Sequence, residues 1–371
     1  MSDDALTEGP EVPAAAAQPP DLHSRVQRAA MDRRVANWLF VVAGMIFLMV
    51  VVGGATRLTG SGLSMVEWRP VTGILPPMGD AEWAQEFAKY QQHPEFQYVN
   101  KWMSVHDFKQ IFWLEYIHRV IARVIGFVFF VPFLWFWWKG HLRKKLVAPL
   151  AGIFILGGLQ GAMGWFMVMS GLVDEPSVSH FRLAAHLGLA VILYLAVLWT
   201  AWGLVAPRYE LPRPASLYKP AIVLTCLVFG QILLGALVAG LDAGYIHNTW
   251  PSMDGHFLPP GVWVMQPGIL NMVDNGSLVQ FEHRTVAYII TAFALWIVYR
   301  ASRLRRGRAP RAVQYMVMAC LLQVGLGIAT VVSGTPVALG VLHQAGAIVF
   351  LTAALYLVHR LKAADRTGAL A

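Results

Sequence analysis

"EYIHRVIARVIG" (115–126) and "FEHRTVAYIITA" (281–292) each set a histidine–arginine pair at the head of a long apolar run. Ionisable groups are costly in hydrocarbon, so a placement made twice asks for a reason. The surrounding composition says where these runs lie. Of 371 residues 57% are hydrophobic and 13% charged, with a mean hydropathy of +0.52, whereas soluble domains carry about 25% charged residues. The chain has too little polar residue to cover a core in water and reads as an all-α integral membrane protein. Its net charge of +8 does not imply nucleic acid, because the Lys and Arg sit in short loops between apolar runs.

A spanning helix needs about 20 apolar residues. Eight segments qualify: 38–55, 111–138, 146–168, 183–202, 218–241, 279–299, 312–332 and 337–358. Basic residues precede the first (Arg25, Arg28, Arg33, Arg34) and follow the second ("KGHLRKK"), fourth, sixth ("RASRLRRGRAPR") and eighth. The stretches 170–181 and 242–280 contain no Lys or Arg. The positive-inside rule then puts both termini in the cytoplasm; only the long first outer loop departs from it. Residues 1–35, Ala/Pro-rich and polar, read as a disordered cytoplasmic tail with neither a secretory signal nor a transit peptide. The expected home is a bacterial inner membrane. The two cysteines, Cys226 and Cys320, fall inside segments and read as small apolar packing residues.

The chain repeats itself. "VEWRPVTGILPP" (66–77) answers "NTWPSMDGHFLPP" (248–260). "IHRVIARVIG" answers "EHRTVAYIIT". "LGGLQGAMGWFMVMSG" (156–171) answers "CLLQVGLGIATVVSG" (320–334), and "AAHLGLAVILYLAV" (184–197) answers "VLHQAGAIVFLTAALYL" (341–357). Four segments per unit make this a parallel duplication. Two tandem, pseudo-symmetric four-helix bundles are expected, over 36–203 and 217–359, joined by a linker at 204–216 and ending in a tail at 360–371.

Twelve histidines are present, and four lie within segments: His118, His186, His283 and His343. They fall on the second, fourth, sixth and eighth segments, roughly 5–10 Å inside the outer boundary at 1.5 Å per residue. Each bundle can thus bring two imidazoles to one level from facing helices. Two imidazoles suit the axial positions of haem iron; zinc would need three or four ligands. Arg119 and Arg284 follow the first histidine of each pair and either meet propionates or snorkel to headgroups. The glycine-rich runs "GGLQGAMG" and "QVGLGIA" admit a flat macrocycle or simply another helix. Gln160 and Gln323 are paired polar residues that serve packing or a haem equally well. Nothing marks the cytoplasmic half of the membrane, which counts against a transmembrane electron wire.

The repeats differ beside the first histidine. Glu115 stands three residues before His118 and shares its helix face; the matching position before His283 is Gln280. Glu115 reads either as an ion-pair partner of Arg119 or as a proton-handling or cation-stabilising group at a reactive haem.

"GGATRLTGSGLSMVEWRPVTGILPP" (53–77), "EYIHR" and the duplicated histidine pairs resemble the haem A synthase family, over nearly the whole chain after residue 35. The resemblance is to the subclass without outer-loop cysteines. It implies oxidation of the C8 methyl of haem O to a formyl group by successive hydroxylations, producing haem A for terminal oxidases. It implies a haem b in the C-terminal bundle on His283 and His343, and substrate haem O in the N-terminal bundle near His118 and His186 with Glu115 at the reaction centre. The partners implied are haem O, haem O synthase, oxidase assembly factors, an unidentified electron donor and the lipid membrane, with a homo-oligomer left open. The run 53–62 lacks the Lys-Ser/Thr of a P-loop and reads as a turn in which Arg57 reaches a propionate or snorkels. Two other readings remain at this stage: a di-haem b-type cytochrome passing electrons, and a haem carrier.

Overall fold

The structure, a computed structural model, describes residues 22–67, 75–173, 175–205, 215–304 and 310–368. Among the described residues eight helices are long and apolar enough to cross a membrane: α1 (Leu22–Leu58), α3 (Val105–Trp138), α4 (Lys144–Met169), α5 (His180–Val205), α6 (Tyr218–Gly240), α8 (Gly276–Leu304), α9 (Arg311–Val332) and α10 (Val337–Gly368). Each coincides with one expected segment, and the protein is a multi-pass, all-helical membrane protein. Two shorter helices, α2 (Asp80–Tyr90) and α7 (Asn271–Asp274), lie in the two long loops. Pro132 in α3 and Pro149 in α4 are accommodated inside continuous helices, as membrane helices permit. α3 opens on a capping box: Ser104 and Asp107 satisfy each other's backbone N–H groups.

Two termini differ from expectation. The tail expected over 1–35 is helical from Leu22, because "LHSRVQRAAMDRRVANW" is rich in helix formers and its last turns bury Val35 and Ala36. Buried Asp32 there pairs with Arg143 at the start of α4. At 37 residues and 1.5 Å per residue, α1 is about 55 Å long, well beyond the roughly 30 Å hydrocarbon core. The C-terminal tail expected from 360 instead continues α10 to Gly368, with Leu361 still buried. Residues 1–21, 68–74, 206–214 of the expected linker and 305–309 lie outside the described residues.

α1 packs on α3 and α5, and α4 on α3 and α5. In the second half α6 packs on α8 and α10, and α9 on α8 and α10. Between halves α5 meets α6 and α1 meets α10. α1, α5, α6 and α10 are the most buried of the eight spans, and the other four are more exposed. Polar ties cross this seam: Gln344 donates to the Val50 carbonyl at 2.8 Å, and the Tyr194 hydroxyl meets that of Thr352 at 2.9 Å. Arg57 donates to the carbonyl of Ala239 at 2.9 Å and pairs with Asp242 at 3.2 Å, covering the C-terminal end of α6, where unpaired carbonyls favour a cation.

The loop after α1 is a folded cap. Trp83, Phe87, Tyr90, Phe108 and Phe112 form a second apolar cluster. Glu95 is buried beneath it, accepting from the Tyr90 hydroxyl at 2.9 Å while Asn100 donates to that hydroxyl at 2.8 Å. Burial pushes the Glu95 carboxyl up to about 7, against the Tyr90 hydrogen bond. An unfolded Glu releases its proton near 4.5, so the folded cap holds more protons across that interval and loses stability as pH rises through it. Proteolytic resistance of residues 75–104 should therefore fall between about pH 5 and 8, and Glu95→Gln should flatten the profile. A wild-type profile already flat, or a variant that declines in parallel with it, contradicts this account.

Candidate functional site

The four intramembrane histidines all lie toward the end of the helices that carries the two long loops, each pressed against a glycine of a neighbouring helix. A Cβ added to Gly53 of α1 would stand 3.2 Å from Nε2 of His118. One on Gly164 of α4 would stand 3.0 Å from Cε1 of His186, one on Gly235 of α6 3.2 Å from Cε1 of His283, and one on Gly327 of α9 2.8 Å from Cε1 of His343. Any side chain at these positions displaces a ring or is displaced by it. The glycines are notches that receive imidazoles.

Three rings also carry an amide. Gln160, Gln231 and Gln323 place their side-chain nitrogens 3.1 Å from Nδ1 of His186, His283 and His343. Each glutamine stands one turn before its notch, as "QGAMG" (160–164), "QILLG" (231–235) and "QVGLG" (323–327). Gln231 escaped the reading of the sequence; the Gln-x-x-x-Gly spacing, once seen in α4 and α9, identifies it. The fourth notch follows "MVVVG" (49–53), and among the described residues no glutamine serves His118.

These residues fit a haem. The rings of His283 and His343 have centres 6.3 Å apart at 78°, and metal–nitrogen bonds of about 2 Å on either side account for most of that span. The side-chain oxygens of Gln160, Gln231 and Gln323 are buried without a partner. A half-turn of each amide sets that idle acceptor on an Nδ1–H and leaves Nε2 free for metal. At Gln160 and Gln231 the turn exchanges a bond to the histidine's own carbonyl. Among the described residues no group of three or more His, Cys, Asp or Glu could hold a metal ion; a facing imidazole pair is a donor set of the kind a haem takes.

Glu115 is buried and fully engaged. One oxygen pairs with Arg119 (Nε at 3.0 Å), and the other accepts from Ser64 Oγ at 2.7 Å and Met65 N at 2.8 Å. Arg119 also donates to the carbonyls of Met65 (2.8 Å) and Glu67 (3.1 Å), holding the first long loop onto α3. In the second half Arg284 clamps its loop alike, through the carbonyls of His247 (2.6 Å) and Thr249 (2.7 Å), with Gln280 donating to the same His247 carbonyl at 3.0 Å. The arginines expected to face propionates or headgroups thus have loop and helix carbonyls as partners, Arg57 included. Nε of Arg57 and of Arg284 remain buried and unpaired. A cavity of about 80 Å³ opens beside Arg119, lined by Met65, Glu67, Trp165, Met169 and Leu172.

Fold and site together define a multi-pass membrane protein with four histidines seated on glycines of neighbouring helices, one pair of them at a spacing suited to haem. Comparison with known proteins gives the family. Residues 36–355 match the COX15-CtaA model, described as cytochrome oxidase assembly protein, and the chain belongs to that family. It is 48% identical over 333 residues to "Heme A synthase" of Rhodopseudomonas palustris (89% of this chain, 91% of the relative). It is 45% identical to proteins of that name from Nitrosomonas eutropha, over 332 residues (88% and 93%), and Nitrosospira multiformis, over 341 residues (91% and 96%).

The notch at Gly327 is the tightest of the four. Gly327→Val should leave the protein in the membrane yet lower its content of tightly held haem by about 10-fold or more, the usual scale for disturbing a ligand's support. Full haem content in the variant, measured by pyridine haemochrome, would show that the notch does not position His343.

Proposed function

We propose that this protein oxidises the C8 methyl of haem O to a formyl group, giving haem A for terminal oxidases, and that the two histidine pairs divide the work. The observation that carries the division is the unequal residue preceding the matched histidines: a buried carboxylate, Glu115, three residues before His118 and a buried amide, Gln280, three residues before His283. The C-terminal pair, His283 and His343, is the seat of a resident haem b, supported by Gln231 and Gln323. Bound there, haem b supplies one-electron redox chemistry. The N-terminal pair, His118 and His186, takes substrate haem O.

Within that site Glu115 is the acidic group. Its carboxylate is aimed by Ser64, Met65 N and Arg119, so it presents a fixed negative charge without reorganisation. It stabilises positive charge developing at the attacked methyl carbon, or accepts a proton released there. Arg119 holds Glu115 and closes the first loop over the site, excluding water. The idle Nε–H groups of Arg57 and Arg284 suit carboxylates such as propionates.

The setting we infer is a bacterial inner membrane with both termini cytoplasmic and both haem sites near the periplasmic face. Partners are haem O synthase, oxidase assembly factors and an electron donor, with self-association compatible with the fold. A reporter fused after Leu304 should signal cytoplasm and one within 255–265 periplasm; the reverse would invert the assignment of both sites.

Mass analysis of haems extracted from membranes supplied with haem O tests the reaction. An enzyme yields the formyl product, a cytochrome only redox spectra, and a carrier neither turnover nor a resident haem. Glu115→Gln is the sharper probe, because the second half already carries Gln at that position with its loop clamp intact. The variant should fold and keep its resident haem while conversion falls about 10²–10⁴-fold, the usual worth of a positioned acid or base. Normal conversion by Glu115→Gln would make Glu115 a loop anchor only.

A further inference from the structure

Three of the four imidazoles have an amide on Nδ1 and turn their Cε1 edge to the glycine notch. His118 differs in both respects. It turns Nε2 and Cδ2 toward Gly53, at 3.2 and 3.6 Å from the Cβ position there, an orientation that a half-turn of the ring makes the same as the other three, so the missing amide is the difference that counts. One turn before Gly53, where the other notch helices carry Gln160, Gln231 and Gln323, stands Met49. A thioether is at best a weak acceptor and cannot fix a ring tautomer.

A histidine that ligates metal is ordinarily oriented through its other ring nitrogen, and loss of that partner lowers affinity by about 10–100-fold. A ring without the partner gains more rotamer freedom by letting go, because nothing else holds it. We propose that His118 is the exchangeable ligand of the N-terminal site, releasing and rebinding an iron porphyrin while His186 stays fixed, and that Met49 is the positioning residue that leaves it free. The proposal rests on the N-terminal pair being the substrate site and adds how that site can empty: an enzyme whose substrate and product are both iron porphyrins must break both iron–histidine bonds in each turnover, and the unanchored one at His118 goes first while the His186 ring keeps its place. The C-terminal pair, with both rings anchored, has the geometry of a permanent site.

The test uses the full-length protein in detergent, loaded with iron protoporphyrin IX as the probe, and follows transfer of the porphyrin to excess apomyoglobin. Wild type should give two phases, the faster from the N-terminal site. Met49→Gln supplies the missing amide at the matching position. It should slow the fast phase about 10–100-fold and raise the low-spin ferric fraction read by paramagnetic resonance, leaving the slow phase unchanged. A single phase in wild type, or a fast phase and spin state unmoved by Met49→Gln, overturns the proposal. Should Met49→Gln fail to accumulate in membranes, Gln323→Met decides alone: it should convert the slow phase to a faster one by a similar factor, and an unchanged slow phase overturns the proposal. An unmoved fast phase with intact haem O conversion defeats the exchange role only. A slowed fast phase in a protein that never converts haem O defeats the proposed reaction only.

Discussion

An imidazole inside a bilayer has two needs, a surface to pack against and a partner for its polar edge, and the arrangement of helices here answers both with one short pattern. A glycine lets the ring close on the neighbouring helix, and a glutamine one turn earlier reaches its Nδ1. Both residues occupy one helix face because positions four apart do so. Lipid offers no hydrophobic drive for helix association, so close approach at the notches and the amide bonds contribute to holding α4 on α5, α6 on α8 and α9 on α10. The features proposed to make a ligand set also hold helix pairs together.

The loops follow from the same constraint. Arg119 and Arg284 sit next to the histidines in sequence, and each gathers the carbonyls of the loop that follows the preceding span. A guanidinium has five donors in a fixed fork, so one side chain can satisfy several backbone groups that would otherwise face a water-poor interface. The first loop adds an aromatic cap around Tyr90 and Phe108 with a carboxyl, Glu95, beneath it. That cap packs on α3 at the end of the helices where the histidines lie.

The eight spans were legible in the sequence because each rests on a long apolar signal, and the four histidines within them stood out as a costly residue type. Glu115 and its counterpart Gln280 were legible because the repeats align around His-Arg. The rest was hidden for physical reasons. Residues 22–35 look polar, yet Asp32 is buried through a partner, Arg143, that lies 111 positions away. The role of Arg57 depends on the end of α6 in the other half, and no local pattern reports a contact across a seam. Gln231 lay in an unremarked stretch of α6, and a single polar residue in an apolar run is ambiguous until a neighbouring helix shows what it faces. The loop helix α2 and the buried Glu95 were missed because loop residues carry no membrane periodicity.

Set side by side, the repeats differ at one ligand more than at the others. His186 and His343 have the same surroundings in kind: Gln160 and Gly164 for one, Gln323 and Gly327 for the other. His283 has Gln231, Gly235 and Gln280. His118 keeps only the notch, with Met49 where an amide would be and Glu115 where the second half has Gln280. A carboxylate beside the ligand and a missing anchor on the ligand are separate substitutions on separate helices, α3 and α1, yet both bear on one imidazole. A duplicated fold needs two good ligands wherever a prosthetic group is kept. It can relax one of them where the bound porphyrin must be changed chemically and then let go. On the proposed division of work, both departures from symmetry fall on the half assigned to reaction and release, and neither falls on the half assigned to retention.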